Sequence, residues 1–556
     1  MTIKQLAIGL AVLIVVLGTG ALGAEFAAQA WMTQQVDAAL AQPAVTKASH
    51  GAVHYSLWQR HLEIDDLAVE TDVPELRSAR AEHIEIDGVS PFIAAGDDLI
   101  VPAMTARALE VTGDTLHQSF SRLSFRDVRL ARGLAFDTTL PREQLVASIF
   151  DRLSVQRIEA RDARQSMAGQ GGEVAFAELV AEDLGKGRIA SITGTQMVAR
   201  SALQTRPGAT MRTEAAALRL AGVNLLAWRR AFDPAAIANG SPRALAKDLS
   251  LDRLDATGVT GTFAEGGGGK VTIAHLGFDK LAPGSLGGFE LDDLVYTAPQ
   301  GSFRLHSLRL DGFAYALGDG PVAIPQLFVR RLSLDDIAIG AKAGAEIGAK
   351  QMLVTMTGTL GKATGMAFKV ATVTIPATAA PPLRLVGYNE LVMDYEAQSS
   401  YDAAQGSVAS TQHLTAHDAG ELTLSLRMSN YPTVFDARDF LSLLTRLSEA
   451  RLDRFELRYD DASLVDRVIK FDATRTQRSI EAVREEFIAQ VEAQRAGHAE
   501  KPAMSASLDA IIAFLRQPAS LTLTIAPPQP LSFGTLTGLS KRDPDAVFEM
   551  LGASVH

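Results

Sequence analysis

Cysteine is missing from the 556-residue chain. Its absence excludes disulfides, thiolate metal sites, iron–sulfur clusters and cysteine nucleophiles. Positive charge is also short. With 53 Lys and Arg against 64 Asp and Glu, the net charge is -11, the wrong sign for a protein whose affinity comes from neutralising phosphates, so no nucleic acid partner is expected. Aromatic residues are only 6%, which favours small side chains and many turns. Long apolar runs are confined to Leu6–Gly23, and no other stretch reaches the ~18 residues a span needs. What is present is a globular balance, 47% apolar and 21% charged, with 45 glycines.

Leu6–Gly23 carries no charge and no proline and follows Lys4. As a helix it would cover ~27 Å, close to a bilayer core. A cleaved signal peptide is the alternative, with Ala21–Gly23 or Ala28–Ala30 as small-residue sites. The length favours an uncleaved anchor. Lys4 before the span, and Glu25 and Asp37 after it, place the short tail in the cytoplasm and the body outside. Gly18, Gly20 and Gly23 spell a dinucleotide fingerprint, but the strand and helix it requires are replaced by the apolar run.

Beyond the anchor one pattern returns: two apolar residues one apart, an Asp-Asp or Asp-Gly pair, then another apolar residue. It occurs at Leu62–Leu67, Ile84–Val89, Phe289–Leu294, Leu308–Phe313 and Leu332–Ile337, with a looser copy at Leu123–Val128. Alternation predicts strands with one apolar and one polar face. Asp and Gly tolerate positive φ, so the pair predicts a bulge or turn. The spacing of roughly 20 residues predicts two or three short strands per unit, stacked to bury a shared face.

Helical patterns interrupt the strands at Pro141–Leu153 and Val223–Ala236. After Asp436 the chain changes character. Helices are predicted at Asp436–Leu447, from an Asp461 N-cap to Arg495, at Ser505–Leu515 and at Pro544–Leu551, with a strand at Leu521–Ile525. The predicted organisation is an anchor or signal over 1–30, a repeat β body over 31–430 and a mixed α/β part over 431–556. The C-terminal helices are expected to cap one end of the sheet.

Candidate chemistry is sparse. His413 and His417 are spaced for one helix face, but Leu414 stands where a zincin needs Glu and no third ligand follows. The Asp pairs recur with the repeat, which favours a structural turn over acid/base catalysis. Lys270 follows four glycines, yet Ala264 and Val271 occupy the defining P-loop positions. Arg467, Lys470, Arg475, Arg478, Arg484 and Arg495 are interleaved with glutamates, which favours a salt-bridged solvated face over a headgroup site. Asn239-Gly240-Ser241 is formally a glycosylation sequon. No nucleophile elbow or kinase signature is present.

The anchor at Leu6–Gly23 followed by the Asp-paired strand units resembles the AsmA-like superfamily of Gram-negative envelope proteins over residues 1 to about 430. The chain is also similar to YdgA-type envelope proteins, which share the anchor, the strand-rich body and a helical C-terminal part. The segment after Asp436 departs from the simplest AsmA-like pattern. The resemblance implies a long curved sheet in the periplasm with an apolar concave face, of a kind associated with lipid movement between membranes or outer-membrane assembly.

The expected fold is therefore mainly β, an elongated twisted antiparallel sheet of repeated units with an N-terminal transmembrane helix and a helical C-terminal part. The expected function is non-enzymatic. The protein would sit in the inner membrane by one span, with its bulk in the periplasm, and bind or transfer lipid or serve envelope homeostasis. The rival is an assembly scaffold that binds envelope proteins through a sheet edge or the C-terminal helices. No catalytic residue, metal or cofactor is expected. Phospholipid is the candidate ligand. The residues assigned to its apolar face are Leu62, Ile64, Ile84, Ile86, Leu291, Leu308, Leu310 and Leu334.

Overall fold

Apolar residues two apart, skipping one position at each Asp pair, dictate the architecture. A computed structural model describes residues 25–41, 45–57, 59–72, 76–89, 98–131, 152–167, 172–202, 210–224, 250–264, 268–282, 284–316, 326–341, 345–359, 362–402, 404–431, 448–537 and 544–556. The chain divides into two units, Met1–Pro283 and Gly284–His556. The division falls inside the segment read from sequence as one body. The anchor Leu6–Gly23, the sequon and the helix expected at Asp436–Leu447 lie outside the described residues, as do most of the helices expected at Pro141–Leu153 and Val223–Ala236. Of their described residues Arg152 is helical, Leu153 opens β7, and Val223 and Asn224 close β10.

Unit 1 begins with helix α1 (Glu25–Leu40) and the short strands β1 (Val45–Ser49) and β2 (Val53–Ser56). An antiparallel meander follows: β3 (His61–Thr71), β4 (Ser78–Asp87), β5 (Leu99–Thr112), β6 (Leu116–Leu130), β7 (Leu153–Met167), β8 (Gly172–Gly185), β9 (Arg188–Ala202), β10 (Thr210–Asn224), β11 (Leu251–Ala264) and β12 (Gly269–Ala282). Each pairs with the next, and β1 and β2 lie end to end along β3.

Unit 2 repeats the arrangement with β13 (Ser285–Ala298), β14 (Gly301–Ala316), β15 (Gln326–Ala341), β16 (Glu346–Thr359) and β17 (Lys362–Pro376). Helix α2 (Pro382–Leu385) leads to β18 (Glu390–Asp402), β19 (Ser407–Ala416), β20 (Gly420–Ser429) and β21 (Arg451–Asp461). Then come α3 (Leu464–Thr476), α4 (Ile480–Gly497), α5 (Pro502–Arg516), β22 (Ser520–Ile525), β23 (Leu531–Ser532), α6 (Phe533–Thr537), α7 (Pro544–Met550) and β24 (Ala553–Val555).

The expected division of each repeat into two or three short strands is corrected: one repeat is one strand, commonly 14–16 residues long. The Asp pair is mid-strand. Its second member takes the left-handed conformation, at Asp66 (φ 47°), Asp293 (φ 52°) and Asp336 (φ 51°), as do Asp127 (φ 49°), Gly312 (φ 61°) and, at the end of its strand, Gly88 (φ 77°). The register does not change there. Leu305 faces Ile337 and Ser307 faces Asp335, so no extra residue is inserted at Asp336. The position is a kink within a continuous strand and neither the bulge nor the turn expected from sequence. The burial phase slips by one residue across it, as in β3, where Leu62 and Ile64 precede Asp66 and Val69 follows.

The two members of a pair have separate tasks. The first accepts across the polar face: Asp292 lies 2.6 Å from Arg309, and Asp335 accepts from Ser307 Oγ (2.8 Å) and Gln351 Nε2 (2.9 Å). The second supplies the kink. Across unit 1 the kinks align in two rows. Asp66, Ala108, Asp162, Gln196 and Gly258 lie on odd strands, and Asp127, Asp183, Gly222 and Lys280 on even ones. At β17–β18 the register does shift, beside Thr372 (φ 52°), whose N–H donates to Asp394 Oδ1 at 2.7 Å. That bond holds the Asp394 carboxyl below its usual range, with His417 adding to it.

A β-branched residue is poorly suited to such a kink. Asp336→Val is expected to cost about 1–2 kcal/mol, the scale of left-handed strain for an L-residue, whereas Asp336→Gly stays near wild type. Chemical denaturation of the two variants reads this directly.

Candidate functional site

In unit 2 the cross-strand register builds an apolar row. Leu291 faces Leu308, which faces Leu334, then Met352 and Val370. The row continues through Tyr395, Leu414, Leu422 and Tyr459 to Leu521. A parallel row runs from Leu294 through Leu305, Ile337, Ala349, Val373 and Met393 to Ala416. A third runs from Phe289 and Leu310 through Leu332, Val354, Phe368 and Ala397 to Gln412 and Leu424. None of the three rows contains a charged residue. Eight strands at ~4.8 Å spacing make the face roughly 34 Å wide from β13 to β20, longer than an acyl chain.

This face is open in degree. Leu308, Leu310 and Leu334 are half-buried, and Leu291 is buried. Toward the strand ends Ile339 is 56% exposed and Met366 45%. At the C-terminal end the face is covered. Helix α5 packs on β22 and β24, and Phe514 meets the Tyr459 ring edge-on with centroids 6.1 Å apart. None of the described helices is packed on β13–β20 in this way.

Unit 1 has the same rows, closed from β3 to β7 and half-buried from β8 to β12, where Leu179, Ile192, Leu220 and Leu254 lie. Ile64, Ile84, Ala106, Leu123 and Ala160 face one another in turn and are all buried. Leu62 and Ile86 are fully buried in the same cluster as Met32 and Val36 of α1. The assignment of Leu62, Ile64, Ile84 and Ile86 to an open ligand surface is therefore corrected. They lie on the predicted apolar face, but they are core, because α1 and the neighbouring strands remove them from solvent.

Helix α1 is tied down by polar contacts as well. The Gln29 side-chain amide donates to Val53 O and accepts from Tyr55 N, so it completes the free edge of β2 as a neighbouring strand would. His50 lies between two acceptors, Gly51 O at 2.8 Å and Asp37 Oδ1 of α1 at 2.9 Å. Only the protonated ring donates to both. The Asp37 hydrogen bond raises the His50 pKa above its ordinary value. The stabilisation is thus fully present below about pH 6.5 and is lost as the pH rises through the raised folded-state value. Proteolysis of α1 is expected to accelerate as the pH rises above about 6.5, and His50→Gln should flatten that dependence.

The C-terminal arginines are engaged. Arg484 pairs with Asp466 at 2.6 Å, Arg495 with Asp509 at 2.6 Å, Arg475 with Asp472 at 2.5 Å, and Arg478 with Glu486. Arg467 stacks 4.2 Å over the Tyr388 ring and donates to Gly387 O. This is the salt-bridged face expected from the mixed signs. The largely helical run expected from Asp461 to Arg495 is two helices, divided at Gln477, which is left-handed (φ 56°). Asp461 Oδ1 accepts from Val465 N as a cap, and Ser479 caps α4 by accepting from Ala482 N.

Among the described residues, each unit carries a solvent-open groove along its kinks. One, about 510 Å³, is lined by Asp293, His306, Asp336, Lys350 and Thr372. The other, about 750 Å³, is lined by Asp127, Gln156, Asp183, Gly222 and Asp252. Their recurrence in both units follows the repeat. His306 lies 2.7 Å from Asp293, which raises its pKa. His413 and His417 do not share a helix. His413 is in β19 with Thr423 and Thr415 as partners, and His417 lies 2.7 Å from Asp394. Among the described residues no group of three or more His, Asp or Glu is placed to hold a metal, and no helix is long and apolar enough to cross a membrane.

A family profile described as "Uncharacterized protein" covers residues 413–556, from β19 to the C-terminus. No curated protein matches the chain.

Proposed function

We propose that the protein is a non-enzymatic, membrane-anchored envelope protein that holds lipid acyl chains on the apolar face of unit 2. The observation that carries this reading is the set of uncharged rows across β13–β20, half-buried at most positions, with Leu291 and Leu305 buried. A closed core of that area would be inaccessible, as at β3–β7 of unit 1. The AsmA-like resemblance supports the same assignment, with Leu6–Gly23 as the anchor, the bulk in the periplasm and phospholipid as the client. Binding would draw on apolar burial at about 0.8 kcal/mol per methylene. A chain-length series titrated against the full-length protein should therefore gain roughly fourfold in affinity per added methylene. Affinity independent of chain length would contradict the reading.

A second reading is a scaffold for an envelope protein, favoured by the exposed apolar residues Val468 (43%) on α3 and Ile480 (38%) on α4. Crosslinking from these two positions to a protein, with no lipid retained by unit 2, would support it instead.

A further inference from the structure

On the uncharged rows of unit 2, hydrogen-bonding side chains gather at β18 and β19. Ala397 faces Gln412 and Ser399 faces Ser410, on the face that carries Tyr395 and Leu414. Tyr395 and Phe368 rings lie 5.8 Å apart, which places Tyr395 against the apolar row. The Tyr395 hydroxyl donates to Gln412 Oε1 at 3.0 Å. With the hydroxyl as donor, the amide oxygen is the accepting atom and the amide nitrogen is turned away from it. Gln412 Nε2 is left as a donor, and no described residue accepts from it.

From this placement we propose that Gln412 Nε2 receives the carbonyl of a long-chain acyl ester whose hydrocarbon lies across β13–β17, with Ser410 Oγ as a second donor beside it. The proposal rests on the lipid reading above and adds the linkage class. A neutral carbonyl fits this position and a carboxylate does not, because the three rows hold no cation to balance one. The adjoining end of the face is closed by α5 against Tyr459, which gives the ligand a direction: the polar linkage toward the capped end, the chain toward β13.

The test uses the full chain and three ligands of equal length, a long-chain acid methyl ester, the ionised free acid and the alkane, each displacing a neutral fluorescent hydrocarbon probe. The ester is expected to bind about 5- to 10-fold more tightly than the alkane, the scale of one net hydrogen bond, and the free acid more weakly than the ester. Gln412→Leu should bring the ester to the level of the alkane and leave the alkane unchanged. Tyr395→Phe, which frees the amide to rotate, should reduce the ester preference in part. Equal binding of ester and alkane to the wild type, or an equal loss of both in Gln412→Leu, overturns the linkage assignment alone. Failure of every ligand to displace the probe overturns it together with the lipid reading.

Discussion

Leu334→Glu is expected to lower the affinity for a neutral hydrocarbon probe by more than about tenfold. Leu334 lies between Leu308 and Met352 in the central row. An ionised carboxylate there must either lose its water when the ligand docks or hold water where the ligand should lie, and either costs several kcal/mol. Half-burial leaves the new side chain a route to solvent in the free protein. The fold is therefore expected to persist, read as an unchanged far-ultraviolet spectrum. Ile339→Glu provides the control for folding. Ile339 is 56% exposed in β15, beside Ile337 of the adjacent row, so its replacement should weaken binding severalfold with little effect on stability. Wild-type affinity in both variants would remove unit 2 as the binding face.

Ile86→Ala should behave in the opposite way. Ile86 is fully buried between Leu62 and Met104 in unit 1. Truncation to Ala removes the transfer energy of the lost carbons and leaves a cavity, for a loss of about 2–5 kcal/mol. Probe affinity should be unchanged in the protein that remains folded. The same apolar pattern thus yields a stability residue in one unit and a binding residue in the other.

That contrast also marks how far the sequence could be read. The strand faces were legible because period-two alternation is a direct consequence of backbone geometry. The left-handed sites at Asp66, Asp293, Asp336 and Gly312 were legible because turn chemistry favours Asp and Gly there. The equivalent kinks at Ala108, Gln196, Lys280 and Thr372 were not, since register with their neighbours imposes them and their side chains give no signal. Strand length was misjudged for a related reason. A residue pair suited to ending a strand proved compatible with continuing it. The break between α3 and α4 at Gln477 was missed because neither Gly nor Pro marks it. Leu62 and Leu308 look alike in sequence, and only packing by α1 and neighbouring strands separates them. Gln412 was overlooked because one amide in an alternating strand is unremarkable until cross-strand register places it among leucines.

A bound acyl chain is expected on unit 2 and not on unit 1. Photolabelling of the full chain with a long-chain acyl ester bearing an aliphatic diazirine measures this directly, with the labelled residues located by peptide mass spectrometry. Label is expected on β14–β18, concentrated near Leu334, Ile339, Met352 and Met366, and none at Leu62, Ile64, Ile84 or Ile86. Label centred on unit 1, or spread over the polar faces of both units, would contradict it.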